Sequence, residues 1–465
     1  MKYYDTVILG AGLAGLSAGC VLTRAGKTIC VVEKNSSVGG LARTVEHRGF
    51  RFDLGGHRFI AQNNKTEQFV LDVLDHNALI VPRSSKIYLR NKFIDYPLKP
   101  ANALLGLGLK PTIHVLADYA ATLARNIVAP RRPVSLEEWV VKKFGRAMFD
   151  LYFREYSEKV WGMPCSRISK DWAARRIDGL SLGEAIKNAF SGRNTKQIKS
   201  LADSFLYPLR GIGDIAERLR KDIERENTVL TDTSVVRINH DGHTITSVMT
   251  KTGQHLHDRQ ADDYIASIPL TQLVSMLRPA APPAVVEAAA RLAFRDLVIV
   301  TIMLDREQVT DLTWMYFPEK NIPFGRIHEP KNWSPLMAPK GKTHIVAEYF
   351  CFAGDPVWSA SDTELAAMTV DRLSDMGFIK AREVIDSSVL RVPKAYPLFD
   401  VDYARHCDVI TGYLEGFKNL HLSGRSGMFR YYNMDHAIES GIETAERIRN
   451  RRPSSQEVEP ALVEA

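Results

Sequence analysis

Residues 4–26, YDTVILGAGLAGLSAGCVLTRAG, decide the architecture. An apolar run ends at Gly10, glycines recur at Gly12 and Gly15, and a small-residue helical pattern begins at once. The first glycine permits a tight turn, the second lets backbone approach a pyrophosphate, and the third lets the helix pack on the strand. The helix N-terminus then favours the phosphate charge. The next strand, KTICVVEK (27–34), ends on Glu33, where a carboxylate can take ribose hydroxyls, with Lys34 beside it as a further cofactor contact. Strand, glycine turn, helix and acid together predict a βαβ dinucleotide-binding opening rather than a plain glycine turn.

The chain then reads KNSSVGGLART (34–44). Gly39, Gly40 and Arg43 resemble the second glycine motif of the flavoprotein group that includes amine oxidases, protoporphyrinogen oxidase and phytoene desaturase. That resemblance implies FAD as resident cofactor. The glycine pair would pass close to its pyrophosphate and ribityl chain, and Arg43 would add a cation. In FDLGGHRF (52–59), Gly55 and Gly56 permit backbone close to a flat ring and place His57 near it; a satisfied structural histidine is the alternative. YPLRGIGDIAERL (207–219) followed by TSVVRI (233–238) matches the same group, with Val236 or its neighbour Val235 holding the adenine by backbone.

Bulk properties narrow the class. The 465 residues are 45% apolar and 25% charged, ordinary for a soluble globular protein with two or three domains' worth of core. Net charge is +7 and mild, and no nucleic-acid module accompanies it, which favours an anionic small molecule as partner. Five cysteines without a CxxC pair suggest neither a disulfide framework nor a zinc site; a reducing cytoplasm and no bound metal are expected. The chain enters a strand directly, so no signal peptide is expected. Residues 101–129 are the most lipid-like, but Lys110, His114, Asp118 and Arg125 interrupt them, so no transmembrane helix is predicted. They read as a buried or partner-facing helix pair that leaves room for a membrane-adjacent partner.

The predicted fold is α/β: a Rossmann-like FAD-binding domain, assembled from 1–85, 205–275 and 415–450, with inserted substrate domains. Residues 100–200 form a helical insertion, opened by a capping box at Ser135 and Glu138. Residues 86–99 and 276–414 form a sheet domain, starting with a hairpin at 86–95 that turns at Asn91. Residues 451–465 read as a disordered tail.

Several further segments resemble UDP-galactopyranose mutases, in order, over about residues 3–447. REYSEKVWGMP (154–164) resembles a Tyr-x-x-Lys-x-Trp-Gly signature. RNKFIDYPLKPANAL (90–104), DWAARRI (171–177), IPFGRIHEPKNWSP (322–335) and KAYPLF (394–399) resemble further family segments. GRSGMFRYYNMD (424–435) matches most specifically. The resemblance implies a nucleotide-diphosphate sugar as substrate and the N5 of reduced flavin as nucleophile. No Ser/His/Asp triad is then needed, and none is visible. It further implies Arg176 and Arg326 as a diphosphate clamp, Tyr396 and Tyr431 as diphosphate contacts, Trp161 in the sugar pocket and His57 facing the flavin. Gly424, Arg425 and Met434 would close the flavin site. Asn433 stands where the bacterial mutases carry an aspartate near the sugar. Three functions remain open from sequence: a pyranose/furanose mutase, an FAD-dependent oxidoreductase acting on an amine, alkene or sugar carbon, and a non-catalytic flavin protein. NAD(P)H is a candidate reductant that would use the substrate cleft, because no second dinucleotide motif is visible.

Overall fold

A computed structural model of the chain describes residues 3–96, 109–128, 132–172 and 203–451. Arg176, the amphipathic stretch GLSLGEAIKNAF (179–190) expected as part of the helical insertion, and all but Arg451 of the expected tail lie outside the described residues.

The opening motif forms as its spacing predicts: strand Tyr3–Leu9, helix Leu13–Arg24 and strand Ile29–Val32. Tyr3–Leu9 pairs in parallel with Ile29–Val32 on one side and with the long strand His255–Ala266 on the other. Thr228–Leu230 extends the sheet beyond Ile29–Val32, and Leu420–Leu422 adds to the end of His255–Ala266. Four parallel pairings thus gather pieces from both ends of the chain and its middle. Both faces of such a sheet must be covered, and the all-buried strand Ile29–Val32 shows that they are. An antiparallel meander, Thr233–His240 and Ile245–Thr252, completes one flank. The sheet runs past the boundary expected at 275: Leu277 and Arg278 pair with Ile238 and Asn239. Sequence could not show this, because two residues of ladder carry no period.

The second sheet has seven strands in the spatial order Val384–Pro397, Phe294–Leu304, Thr343–Cys351, Arg326–His328, Trp314–Tyr316, Ser85–Leu89 and Lys92–Tyr96. Every residue of Phe294–Leu304 is buried, as an apolar run in a central strand must be. Val298, Val300 and Ile302 face a core shared with Leu365 and Leu373 of helix Asp362–Asp375. Leu297, Ile299 and Met303 face the other way, onto Phe50 and Phe52. The hairpin turns at Arg90 and Asn91, both with positive φ. Its neighbour is parallel, Trp314–Tyr316 beside Ser85–Leu89, so an early segment is built into a late sheet.

Leu109–Val128, Leu136–Phe144 and Arg154–Trp161 form the described part of the helical insertion, with the Ser135/Glu138 capping box in place. No helix among the described residues is long and apolar enough to cross a membrane.

The first and last helices lock the two chain ends together. Met434–Asn450 packs on Leu13–Arg24 so closely that a Cβ at Gly441 would lie 2.2 Å from the Ala14 carbonyl oxygen. Gly441→Ala should therefore cost about 1–3 kcal/mol through overpacking. Thermal denaturation followed by circular dichroism checks this; an unchanged midpoint would contradict the close contact.

Candidate active site

The nucleotide end is built from backbone. Gly10 has φ +100°, and a Cβ at Gly15 would lie 2.1 Å from the Gly10 carbonyl oxygen. Gly12 differs: a Cβ there would meet nothing within 4 Å, so this glycine borders open space. It is also the N-cap of helix Leu13–Arg24 and supplies no side-chain cap, which leaves first-turn N–H groups for an anion. Gly39 bridges to Gly12 and donates its N–H to the Ala11 carbonyl at 2.7 Å, so the two glycine motifs form one floor with Gly40 against Gly12. Glu33 is buried at the strand end. Its Oε2 accepts from Ala11 N at 3.0 Å and its Oε1 from Asn35 N at 2.9 Å and Asn35 Nδ2 at 2.6 Å. These bonds fix the carboxylate and leave lone-pair capacity for ribose hydroxyls. Lys34 is exposed next to it.

Thr233 N donates to the Glu33 carbonyl at 2.9 Å and brings strand Thr233–His240 alongside. A register shift between Val235 and Arg237 puts Val236 outside the regular ladder. Arg43 donates to Ser37 Oγ at 3.1 Å, while its buried Nε has no partner. At the far end, Gly424 donates to Ser440 Oγ at 3.0 Å. Helix Met434–Asn450 starts at Asn433 with no side-chain cap. Asp435 is 3% exposed; its carboxylate lies 3.1 Å from His436 Nδ1 and otherwise accepts no hydrogen bond among the described residues. Open space at Gly12, an unpartnered Arg43 Nε, two uncapped helix starts and an under-satisfied Asp435 fit FAD: diphosphate at the glycines, adenosine ribose at Glu33, flavin end at Met434.

The turn Leu54–His57 connects this groove to the second sheet. A Cβ at Gly56 would lie 2.0 Å from the Trp314 ring, so only glycine fits. Gly56 N donates to Glu348 Oε1 at 3.0 Å. Glu348, in the middle of an otherwise apolar strand, is completely buried and pairs through Oε2 with Arg326 Nη2 at 2.6 Å. The same Nη2 donates to the Tyr396 hydroxyl at 2.9 Å. Trp314 and Phe350 flank the guanidinium, with ring centroids 5.2 and 4.8 Å away. Glu348 beside it holds the Arg326 guanidinium well above its ordinary pKa, against the opposing pull of burial. Arg425 approaches the other side of Tyr396, 4.8 Å from its ring centre, and lies 5.5 Å from that of Tyr431. Phe429 between them has φ +48°, an uncommon conformation for a bulky residue, and this local strain re-aims the chain toward Tyr431.

His57 Nδ1 lies 3.1 Å from the Gly55 carbonyl, which makes it the donor and leaves Nε2 as acceptor. Burial, with Arg425 and Arg326 nearby, pushes its pKa down to about 4. The imidazole is therefore neutral over the physiological range. Trp161 is 2% exposed, with its indole N–H unpartnered among the described residues and Trp172, Tyr396 and Phe399 around it at 5.4–6.4 Å between ring centroids. Tyr431 and Trp172 also line a cavity of ≈ 440 Å³ with Arg430, His421 and Arg447.

The structure thus brings His57, Arg326, Tyr396, Arg425 and Tyr431 together, with Trp161 behind them. Arg326, expected as half of a two-arginine clamp, already has a resident carboxylate. Asn433 is exposed at the helix start. Glu348, Trp314 and Phe350 escaped sequence reading. The lone carboxylate in THIVAEYFC (343–351) was the available signal, since a charge inside an apolar strand requires a partner.

A profile of flavin containing amine oxidoreductases matches residues 13–449. The chain belongs to that family. Its members are flavoenzymes, which supports flavin as the cofactor of this chain. The structure resembles reduced UDP-galactopyranose mutase with a TM-score of 0.83 and 22% identity, covering 96% of this chain and 94% of the other. A putative protoporphyrinogen oxidase from Exiguobacterium sp. 255-15 aligns with a TM-score of 0.73 and 18% identity over 96% and 98% of the two chains. Putrescine oxidase aligns at 0.65 with 16% identity over 97% and 100%. Curated relatives match over short stretches. Carotenoid 3,4-desaturase of Haloarcula japonica is 47% identical over 51 residues, 11% of this chain and 10% of that protein. All-trans-retinol 13,14-reductase of Macaca fascicularis is 36% identical over 84 residues, 17% and 14% of the two. The chain therefore spans only a small part of the curated relatives it matches.

Two outcomes test this site. Glu348→Gln leaves the Arg326 cation in the interior without a counter-charge and should cost about 3–5 kcal/mol, read from urea denaturation; a loss below about 1 kcal/mol would show that the pair is dispensable. Burial also holds the pKa of His344 down, to about 3. Folded His57 and His344 bind fewer protons than the unfolded chain, whose histidines titrate near ~6.5. The stability they lend is complete above that value and drains as pH falls toward 4 and below. His344→Gln should flatten the fall in melting temperature over this window relative to the parent protein; parallel curves would count against a buried neutral imidazole.

Proposed function

We propose that this flavoenzyme acts on a nucleotide-diphosphate sugar and interconverts its pyranose and furanose rings. The observation that carries the reading is the convergence of Arg326 and Arg425 on Tyr396 beside the His57 turn. Glu348 neutralises one arginine, so the cluster keeps an excess positive charge in a partly desolvated, aromatic-walled site. Guanidinium and phenol groups are suited to a diphosphate. The likeness to reduced UDP-galactopyranose mutase along nearly the whole of both chains supports the same reading.

The reduced flavin, when bound, supplies the nucleophile for such chemistry. The chain's own task is to hold the substrate's diphosphate while it leaves and returns. Arg326 retains Nε, which is buried and unpartnered, for a phosphate oxygen. Tyr396 presents its hydroxyl beside the guanidinium, and we assign Tyr431 and Arg176 to the clamp by their places in the family pattern. His57, neutral and fixed through Nδ1, can accept a hydrogen bond without adding charge. Trp161 forms the apolar wall of the sugar pocket in this reading, and Asn433 stands nearest the choice of sugar. All five cysteines are free thiols, which suits a reducing cytoplasm.

A second reading, an FAD-dependent oxidoreductase with an anionic substrate and NAD(P)H or oxygen as co-reactant, draws support from family membership and from the protoporphyrinogen and putrescine oxidase folds. The two differ in stoichiometry. With dithionite-reduced protein and UDP-galactopyranose, the mutase reading expects ring isomer without reductant consumed per turnover. Failure of any UDP- or dTDP-hexose to isomerise would discard it. Tyr396→Phe should weaken UDP binding to the reduced protein roughly tenfold, as loss of a hydrogen bond to a charged group does, while FAD content stays full. Unchanged UDP affinity would remove Tyr396 from the diphosphate site.

A further inference from the structure

The proposed site takes its walls from two parts of the chain: Trp161 ends helix Arg154–Trp161, and Arg326 opens strand Arg326–His328. Lys159, half-buried on that helix, serves no step described above, yet it ties the two parts together. Its Nζ donates to the Phe317 carbonyl at 2.7 Å and to the Glu319 carbonyl at 2.9 Å. Both carbonyls belong to the turn that joins strand Trp314–Tyr316 to Arg326–His328. No ion pair accompanies these bonds among the described residues: the Glu319 carboxylate accepts from Arg90 N at 3.2 Å, and Glu158 lies 3.9 Å from Lys320. Burial pushes the Lys159 pKa down to about 7, against the opposing pull of Glu319 and Glu155. A cation placed in this way without a counter-charge is costly. What it gains is a grip on backbone, through charge-assisted bonds to two carbonyls of one turn.

The grip reaches Arg326 through the hairpin ladder. Tyr316 stands directly across from Arg326. Phe317 N donates to the Gly325 carbonyl at 2.9 Å, and Gly325 N donates to the Glu348 carbonyl at 2.9 Å. The residue whose carbonyl Lys159 holds therefore also fixes, through its N–H, the residue before Arg326. Phe317 and Phe324 are fully buried and meet edge to face, 5.0 Å between ring centroids, so the turn is packed as a unit. On its other side the helix end is registered by Arg295, which donates to the Val160 carbonyl at 3.1 Å, the Lys159 carbonyl at 3.3 Å and the Phe350 carbonyl at 2.9 Å. Arg295 thus ties the helix to the strand of Glu348, while Lys159 ties it to the hairpin of Arg326. The Lys320–Glu158 contact, with Lys320 largely exposed, adds little.

We propose that Lys159 is a positioning residue for the diphosphate site: by binding the Phe317 and Glu319 carbonyls it sets the hairpin of Arg326 against the Trp161 wall. This rests on the reading of Arg326 as a diphosphate contact. Lys159 itself touches no substrate in this role and acts through Arg326.

The test uses the full-length flavin-loaded protein with UDP as probe. Lys159→Met keeps the apolar stem and removes the donors. In this variant the amides of 317–325 should exchange with deuterium roughly tenfold faster than in wild type. UDP affinity of the reduced protein should fall roughly tenfold, while FAD content and melting temperature stay near wild type. A loss of general stability alone would lower both of those and leave the affinity of the folded fraction unchanged. Lys159→Gln, which keeps a neutral donor, should lose less, roughly threefold, and provides the comparison if the methionine variant does not fold. Wild-type protection of 317–325 or wild-type UDP affinity in Lys159→Met, or in Lys159→Gln where only that variant folds, overturns the proposal. A wild-type protein that binds no UDP would instead remove the diphosphate reading of Arg326, and the exchange of 317–325 would still decide whether Lys159 holds the hairpin.

Discussion

The ion pair between Glu348 and Arg326 is the constraint on which the site depends. A carboxylate with no solvent exposure needs a counter-charge and hydrogen-bond donors, and it obtains them from two other parts of the chain. Arg326 comes from the neighbouring strand and Gly56 from the turn that leaves the nucleotide groove. Satisfying Glu348 therefore fixes the position of the His57 turn against the second sheet. Tyr396, three strands away from Arg326 in the same sheet, is drawn in through its hydroxyl, and Arg425 stacks on it from the segment before the last described helix.

The cofactor groove obeys a different logic. Its floor is backbone, set by glycines where side chains would collide and by helix starts that carry no cap. The two glycine motifs share one floor because Gly39 bonds to Ala11, and the last helix reaches that floor because Gly441 lets it approach Ala14. The first and last described helices thus meet at one floor, and the second sheet is inserted between them in sequence.

Much of this was legible because the signals are local. Gly10, Gly12, Gly15 and Glu33 lie within one βαβ unit, the Ser135/Glu138 box spans one helical turn, and the Arg90–Asn91 turn is a two-residue event. The GRSGMFRYYNMD segment lies against the opening helix, where a Cβ at Gly424 would be 2.7 Å from that of Ala14. Glu348 was missed because one carboxylate in an apolar strand does not reveal its partner. The boundary expected at 275 leaves out the strand Leu277–Arg278, since so short a ladder is specified by its neighbours. Trp314 gave no sign that it would fill the space a Gly56 side chain would need.

By itself the sequence determined the glycine turns, the acid that ends the second strand and the uncapped helix that follows the first turn, because steric and capping rules act between residues a few positions apart. Only the tertiary structure decided the charge state of the Arg326 cluster. Arg326 reads as a free cation in sequence and becomes half of a buried pair, and His57 becomes a neutral acceptor. Desolvation and Coulomb interaction depend on which distant strands lie side by side, and no local pattern encodes that.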